Sequence, residues 1–243
     1  MQKLTFIVPF EVPAGRKAEM PTLWRARAEH LSRAPGFLTA RLYEIDAEVE
    51  AYLRQNVPGL AWVGEDRFRF VTIAQWASLA HYEAGVSATR QQQPIPFPSY
   101  PAYYRLASGI GKDVEPIRTE QSRTGQEITF IIPFEVPQGQ EEEMRQQFRA
   151  VVEGMGRVEG SLGPGLYELD SDVERHLRGF LVARDREGAD IRATFPFINV
   201  AEWASVAHYE AAMRSRRQVQ PITFTGHGAY YRIVGEYRGA PIE

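Results

Sequence analysis

Two glutamates stand at the same distance from two tryptophans, and this spacing could support acid–base chemistry. Glu83 follows Trp76 by seven residues, and Glu210 follows Trp203 by seven. On a helix, seven residues are close to two full turns, so each carboxylate would lie about 20° from the face of its tryptophan. A carboxylate directed into an apolar cavity has its pKa raised towards the range of a general base. Glu210 is therefore a candidate base, and a water-exposed position at the helix end is the alternative.

Several phenol, indole and amide groups could bind a polar aromatic ligand. Tyr167 and Tyr231 could donate to a phenol or a carbonyl, although tyrosine is also a common packing residue in strands. Trp76 and Trp203 each open an apolar helical stripe, which is typical of core packing. Asn199 could cap the helix that follows it, because asparagine is favoured just before a helix begins. Each of these side chains thus has a structural explanation beside the functional one.

The chain repeats itself, and the repeat defines the elements that must position these groups. Residues 4–13 (LTFIVPFEVP) and 128–137 (ITFIIPFEVP) are identical at eight of ten positions, at an offset of 124 residues. The motif WAS-x-AHYEA then recurs at an offset of 127 residues, and AYYR follows near the end of each copy. A unit of about 110 residues is far longer than a solenoid module, so each copy is a domain.

Each copy shows strand and helix patterns in the order βαββαβ. This order predicts the α+β class and the ferredoxin-like arrangement, with both helices on one face of an antiparallel sheet. The second copy can cover the other face. We predict a first domain at 1–107, a linker at 108–126, a second domain at 127–236 and a tail at 237–243. An extra helical segment follows the second strand of each copy (EVEAYLRQ and DVERHLRGFL) and could line or cover a pocket.

The composition argues against several classes of function. The chain has no cysteine, which excludes disulfides, thiolate catalysis and cysteine-based metal sites. A net charge of -3 with interspersed arginines provides no general field for nucleic acid. No run approaches the roughly 20 apolar residues that span a bilayer, so we expect a soluble, cytoplasmic protein. Phosphate-binding glycine loops, serine nucleophile elbows and metal-spaced histidines are also missing from the sequence, so no metal is expected.

The motifs resemble the antibiotic biosynthesis monooxygenase family of dimeric α/β-barrel proteins. The resemblance rests on PFEVP-x-G, on FINVAEWAS at residues 197–205 and on the closing AYYR, and it covers nearly the whole chain twice. Members are typically single-domain homodimers whose sheets pack face to face. The resemblance therefore implies a dimer fused into one chain, an intrachain pseudo-dimeric α/β barrel. Whether two such chains pair again stays open.

The resemblance also implies cofactor-free oxygenation of an aromatic or polyketide-type substrate in secondary metabolism. The deprotonated substrate would itself reduce dioxygen, so the expected partners are a small hydrophobic substrate and dioxygen, and no cofactor is expected. Asn199 and Trp203 match the family's Asn-x-x-x-Trp pair and would donate hydrogen bonds to the developing oxyanion, with one donor contributing roughly 3 kcal/mol. The other candidates for substrate binding are Trp76, Phe197, Tyr167 and Tyr231.

Two departures from the family pattern keep other functions open. The first copy has Thr72 where the second has Asn199, so its site could be degenerate. Val8 and Ile132 stand where family members often carry asparagine, so a second polar group is missing from both copies. The alternatives are a non-redox cyclase or isomerase that uses the same pocket, and a non-catalytic binding or scaffold protein.

Overall fold

The computed structural model describes residues 3–57, 66–88, 95–109, 127–155, 159–182, 195–215 and 221–240. The first half contains β1 (Leu4–Phe10), α1 (Glu19–Ser32), β2 (Phe37–Ile45), α2 (Ala47–Asn56), β3 (Phe70–Trp76), α3 (Leu79–Ala88) and β4 (Ala102–Gly109). The second half contains β5 (Ile128–Glu135), α4 (Glu141–Met155), β6 (Ser161–Leu169), α5 (Ser171–Val182), β7 (Phe197–Trp203), α6 (Val206–Ser215), β8 (Thr225–Gly226) and β9 (Ala229–Arg238).

Eight antiparallel strands close into a barrel. Their order is β7-β6-β4-β1-β3-β2-β9-β5, and β5 pairs with β7 to complete the circle, while the two-residue β8 adds to β5. The halves are joined edge to edge, because β2 pairs with β9 and β4 pairs with β6. The α+β fold of two ferredoxin-like halves in an intrachain pseudo-dimeric barrel is therefore confirmed.

The side chains of each strand alternate between the barrel interior and an outer layer covered by helices. On β1, for example, Ile7 belongs to the interior cluster, while Val8 belongs to the outer cluster of the first half. The interior also contains Tyr43 and Tyr167, which are at most 2% exposed. Each half thus has its own apolar layer between sheet and helices, and the two halves share the interior.

The extra helices predicted after β2 and β6 are present, and they are exchanged between the halves. Leu53 of α2 is fully buried in the outer cluster of the second half. Leu177 of α5 is buried in the outer cluster of the first half. Each helix begins with an aspartate cap, since Asp46 accepts from the Val49 N–H at 3.1 Å and Asp170 accepts from the Val173 N–H at 3.2 Å.

Aromatic rings from both halves meet within the interior cluster. Phe68 and Phe195 lie 5.4 Å apart between ring centroids, at 80° to each other. The Tyr231 hydroxyl donates to the Phe68 carbonyl at 2.8 Å, and the Tyr104 hydroxyl donates to the Phe195 carbonyl at 3.0 Å. Each of these tyrosines therefore ties its own half to the other.

The domain boundaries predicted at 107 and 127 lie close to the end of β4 and the start of β5. β4 ends at Gly109 and β5 begins at Ile128. Residues 110–126, most of the predicted linker, lie outside the described residues. The division into 1–107 and 127–236 stays a prediction. Within the described part of the chain, no helix is both long enough and apolar enough to cross a membrane.

Candidate functional site

Asn199 and Trp203 lie on the same outer face of β7, four residues apart. The strand rise places their Cα atoms about 13 Å from each other, and the small side chain of Ala201 lies between them on that face. On the neighbouring strand β5, Phe130 is the register partner of Ala201. The strand thus presents an amide and an indole on either side of a shallow apolar stretch.

An aromatic layer covers this part of the second half, and we call it the second-half layer: Phe130, Trp203, Tyr209 and Tyr230. Tyr209 of α6 meets Trp203 edge-on, with ring centroids 5.4 Å apart, and meets Tyr230 at 5.1 Å. Phe130 stacks on Tyr230 at 4.6 Å. The Tyr230 hydroxyl donates a hydrogen bond to the Tyr209 hydroxyl. Packing and one hydrogen bond therefore link the last strand, β7 and α6 around the face that carries Asn199.

The amide of Asn199 is buried, and its oxygen has no hydrogen-bond partner among the described residues. The residue is 7% exposed, and Oδ1 lacks a partner. The capping role considered from the sequence is wrong: α6 begins at Val206, and the Ser205 hydroxyl accepts from the His208 N–H at 3.3 Å. Leaving a buried acceptor unpaired costs about 1–3 kcal/mol, so a ligand that donates here would recover that free energy.

The hydroxyl of Tyr230 is held in its protonated form. Burial raises the pKa of Tyr230, and the neighbouring Tyr209 acts in the same direction. Tyr230 is therefore a hydrogen-bond donor over the whole physiological pH range. The neutral phenol donates within the layer to Tyr209. The Asn199 oxygen, which has no partner among the described residues, lies on the same outer face and suits a ligand that donates a hydrogen bond.

Glu210 lies away from the second-half layer, and the helical geometry assumed for it is wrong. Trp203 is the last residue of β7, whereas Glu210 belongs to α6, so the two residues do not share a helix. The Glu210 carboxylate accepts from the Tyr52 hydroxyl of α2 at 2.8 Å and pairs with Arg214. These contacts place it between α6 and the exchanged helix, and its role as a base stays a prediction.

The other predicted substrate-binding residues are divided among three places. Phe197 lies on the outer face of β7 with Asn199, and the Arg145 guanidinium lies 5.8 Å from its ring centroid. Tyr167 and Tyr231 lie in the barrel interior, on the opposite side of the sheet. Trp76 belongs to the first half, which leaves Asn199, Trp203 and Phe197 as the set that the structure brings to one face.

The first half carries the same layer, here called the first-half layer: Phe6, Trp76, Tyr82 and Tyr103. Its spacings repeat those of the second half, with Trp76–Tyr82 at 5.6 Å, Tyr82–Tyr103 at 5.1 Å and Phe6–Tyr103 at 4.8 Å. Thr72 takes the position of Asn199, and its Oγ1 is also buried without a partner in the described chain. The arrangement is therefore duplicated, with a hydroxyl in place of the amide.

The tryptophan of the first half has two neighbours that differ from those of Trp203. The edge of Trp76 meets Phe37 at 5.2 Å and 90°, whereas the residue paired with Trp203 is Ser161. The indole also presses on Gly85, where an added Cβ would lie 2.6 Å from Cη2. The second half has Ser161 in place of Phe37 and Ala212 in place of Gly85, so the ring that meets Trp76 has no counterpart against Trp203 at position 161.

Tyr209 and Tyr230 were missed by the sequence analysis, although both lie in repeated motifs. Tyr209 is the tyrosine of the second AHYEA, and Tyr230 is the first tyrosine of the second AYYR. Adjacent residues of a strand point to opposite faces, so only one tyrosine of that pair can face the helices. Tyr231, the one chosen from the sequence, faces the interior.

Comparisons with known proteins support the fold. No protein-family model matches the chain, and no curated protein matches it. Among solved structures, an anthrone oxidase-like protein is similar with a TM-score of 0.58 and 13% identity, covering 99% of this chain and 95% of the other. A proposed monooxygenase from Fusobacterium nucleatum is similar with a TM-score of 0.53 and 9% identity, covering 99% and 96%. The resemblance drawn from the motifs is thus confirmed for the fold: the chain is an α/β barrel of this type, with both ferredoxin-like halves in one polypeptide.

Proposed function

We propose that the second-half layer binds an aromatic or polyketide-type substrate and that the protein oxygenates it without a cofactor. The observation that carries the proposal is the buried oxygen of Asn199, which has no partner among the described residues and lies on the face that also bears Trp203. A side chain with both a donor and an acceptor, set among stacked rings, suits a flat substrate with carbonyl and phenol groups. The similarity to an anthrone oxidase-like protein points to the same class of substrate.

The reaction needs no redox group from the protein if the substrate can form an electron-rich anion. Transfer of a C–H proton from an anthrone to solvent gives its enolate, which delivers electrons to dioxygen and forms a carbon–oxygen bond. Collapse of the resulting peroxide releases water and leaves a carbonyl. One oxygen atom of dioxygen thus enters the quinone product, and the other leaves as water.

Each group of the second half then has a defined role in the proposed reaction. Because their Cα atoms lie about 13 Å apart, the Asn199 amide and the Trp203 indole would donate to different oxygens of the reacting substrate, the enolate oxygen and the peroxide oxygen. Loss of one oxyanion donor in other enzymes lowers kcat by about 10²–10³. The protonated Tyr230 holds Tyr209 through its hydroxyl. The helix layer excludes water, which strengthens these electrostatic interactions.

Incubation with anthrone under ¹⁸O-labelled dioxygen tests the proposal. We expect anthraquinone with one labelled oxygen, formed faster than in buffer or with heat-denatured protein. Asn199→Leu should remove most of the acceleration, while Thr72→Val, at the matched position of the first half, should retain it. Oxidation no faster than in buffer, or product without label, would contradict the proposal.

A non-redox cyclase or isomerase is the second candidate, and one observation favours it. The residue paired with Asn199 on β5 is Ile132, so an apolar side chain stands beside the amide. A single amide could polarise one carbonyl for ring closure without activating dioxygen. Turnover of a polyketide-type substrate at the same rate in the absence of dioxygen would support this candidate over the oxygenase.

A further inference from the structure

Along one edge of the last strand, β9, backbone hydrogen bonding passes from strand β2 to helix α2, and both of these belong to the first half. The pairing of β2 with β9 ends where Ile45 lies opposite Tyr231. At the preceding residue of β9, Tyr230, the backbone N–H and carbonyl both bond to residues at the start of α2. The Asp46 N–H donates to the Tyr230 carbonyl at 2.8 Å, and the Glu50 carboxylate accepts from the Tyr230 N–H at 2.7 Å.

The same arrangement occurs at the equivalent place in the first half. The Asp170 N–H donates to the Tyr103 carbonyl at 2.8 Å, and the Glu174 carboxylate accepts from the Tyr103 N–H at 2.8 Å. Glu50 and Glu174 are each 7% exposed. Because burial of a carboxylate is costly, its repetition at matched positions marks a built feature. Each half thus holds the layer tyrosine of the other half with a buried carboxylate.

We infer that Glu50, contributed by the first half, is a positioning residue of the site in the second half. Glu50 holds the backbone of Tyr230, and the Tyr230 hydroxyl in turn donates to Tyr209, which packs on Trp203. The chain of contacts therefore runs from α2 to the indole proposed to act on the substrate. As far as activity is concerned, this inference rests on the proposed function.

The charge of Glu50 has a second consequence for the tyrosine. Burial and Tyr209 raise the pKa of Tyr230, and the negative charge of Glu50 acts in the same direction. Glu50 therefore both holds the backbone of Tyr230 and favours the protonated phenol that donates to Tyr209. The second half alone would lack this carboxylate, so its site is complete only when α2 of the first half is docked.

Matched substitutions in the two halves test the inference in the full-length protein. Glu50→Ala removes the acceptor and the charge, Glu50→Gln keeps an acceptor oxygen, and Glu174→Ala makes the same deletion in the first half. Hydrogen exchange of α6 and α3 reports on the two layers without any ligand. The kcat and KM for anthrone report on the site.

For Glu50→Ala we expect at least tenfold faster exchange in α6, together with at least a tenfold loss of kcat and a smaller change in KM. Glu174→Ala should speed exchange in α3 instead and change kcat by less than twofold. Glu50→Gln should restore slow exchange in α6 and return kcat to within about threefold of the parent value.

Equal losses of kcat in Glu50→Ala and Glu174→Ala would overturn the inference, because the effect would then be general to the fold. Unchanged exchange of α6 in Glu50→Ala would overturn it as well. If the parent does not oxidise anthrone, the proposed function fails, and hydrogen exchange decides the positioning role by itself. Faster exchange confined to α6 in Glu50→Ala and to α3 in Glu174→Ala would then support it.

Discussion

Replacing Asn199 with leucine should make the protein more stable and less active. The two side chains have similar size, and position 199 is buried on the outer face of β7. The substitution removes an acceptor that has no partner among the described residues and puts apolar surface in its place. A residue kept at a cost to stability is expected where it serves a ligand.

The expected gain in stability is estimated from the Asn199 Oδ1 atom, which has no partner among the described residues. A buried acceptor without a hydrogen bond costs about 1–3 kcal/mol, so Asn199→Leu should raise the free energy of unfolding by about that amount. For a chain of this length, each kcal/mol raises the melting temperature by about 2–4 °C. Loss of the amide donor should lower kcat for anthrone oxidation by about 10²–10³.

Thr72→Val is the matched control, since Thr72 Oγ1 is also buried without a partner in the described chain. It should raise stability as well, yet it leaves the amide of the second half in place and should preserve turnover. Urea unfolding gives the free energies, and oxygen consumption gives the rates. An Asn199→Leu variant that is less stable than the parent, or one that keeps full activity, would show that the Asn199 amide does not serve a ligand at a cost to stability.

Two further results are expected. Ser161→Phe should place a ring against Trp203, as Phe37 does against Trp76. In calorimetry it should weaken binding of 1,8-dihydroxyanthraquinone by about tenfold, or about 1.4 kcal/mol. Unchanged affinity would show that the ligand does not use this end of the layer. Burial raises the pKa of Tyr230, so the folded protein keeps a proton that the unfolded chain releases near pH 10. The free energy of unfolding should therefore be level up to about pH 9 and fall above about pH 10 in urea titrations, and stability that rises with pH there would contradict the burial. Burial also raises the pKa of Tyr103, Tyr104 and Tyr167, so these tyrosines should contribute to the same fall in stability above about pH 10.

The fold could be predicted because the same pattern of strands and helices occurs twice in the sequence. The strand pattern of residues 4–13 recurs at 128–137, and the βαββαβ order leaves one face of each sheet to be covered by the other half. The helices after β2 and β6 were also visible as periodic segments. Their exchange was not, because it depends on how β2 meets β9 and β4 meets β6, which no local pattern encodes.

The site was predicted only in part, for reasons that concern single residues. The alternation of Phe197, Asn199, Ala201 and Trp203 continues to the end of β7, so Trp203 closes a strand, whereas the apolar residues after it suggested a helix start. Tyr230 and Tyr231 are neighbours with opposite directions, and sequence alone does not say which one faces the helices. Glu210 was predicted to lie near the face of Trp203 on the assumption that both residues belong to one helix, but Trp203 ends β7 and Glu210 lies on α6.

The substrate is proposed to bind in the second-half layer, between β7 and α6. A crystal structure of the protein with 1,8-dihydroxyanthraquinone would show whether it does. The ring system is expected beside Trp203, with a phenol hydroxyl donating to Asn199 Oδ1. A ligand bound inside the barrel among Tyr43, Tyr167 and Tyr231, or bound only in the first-half layer, would contradict it.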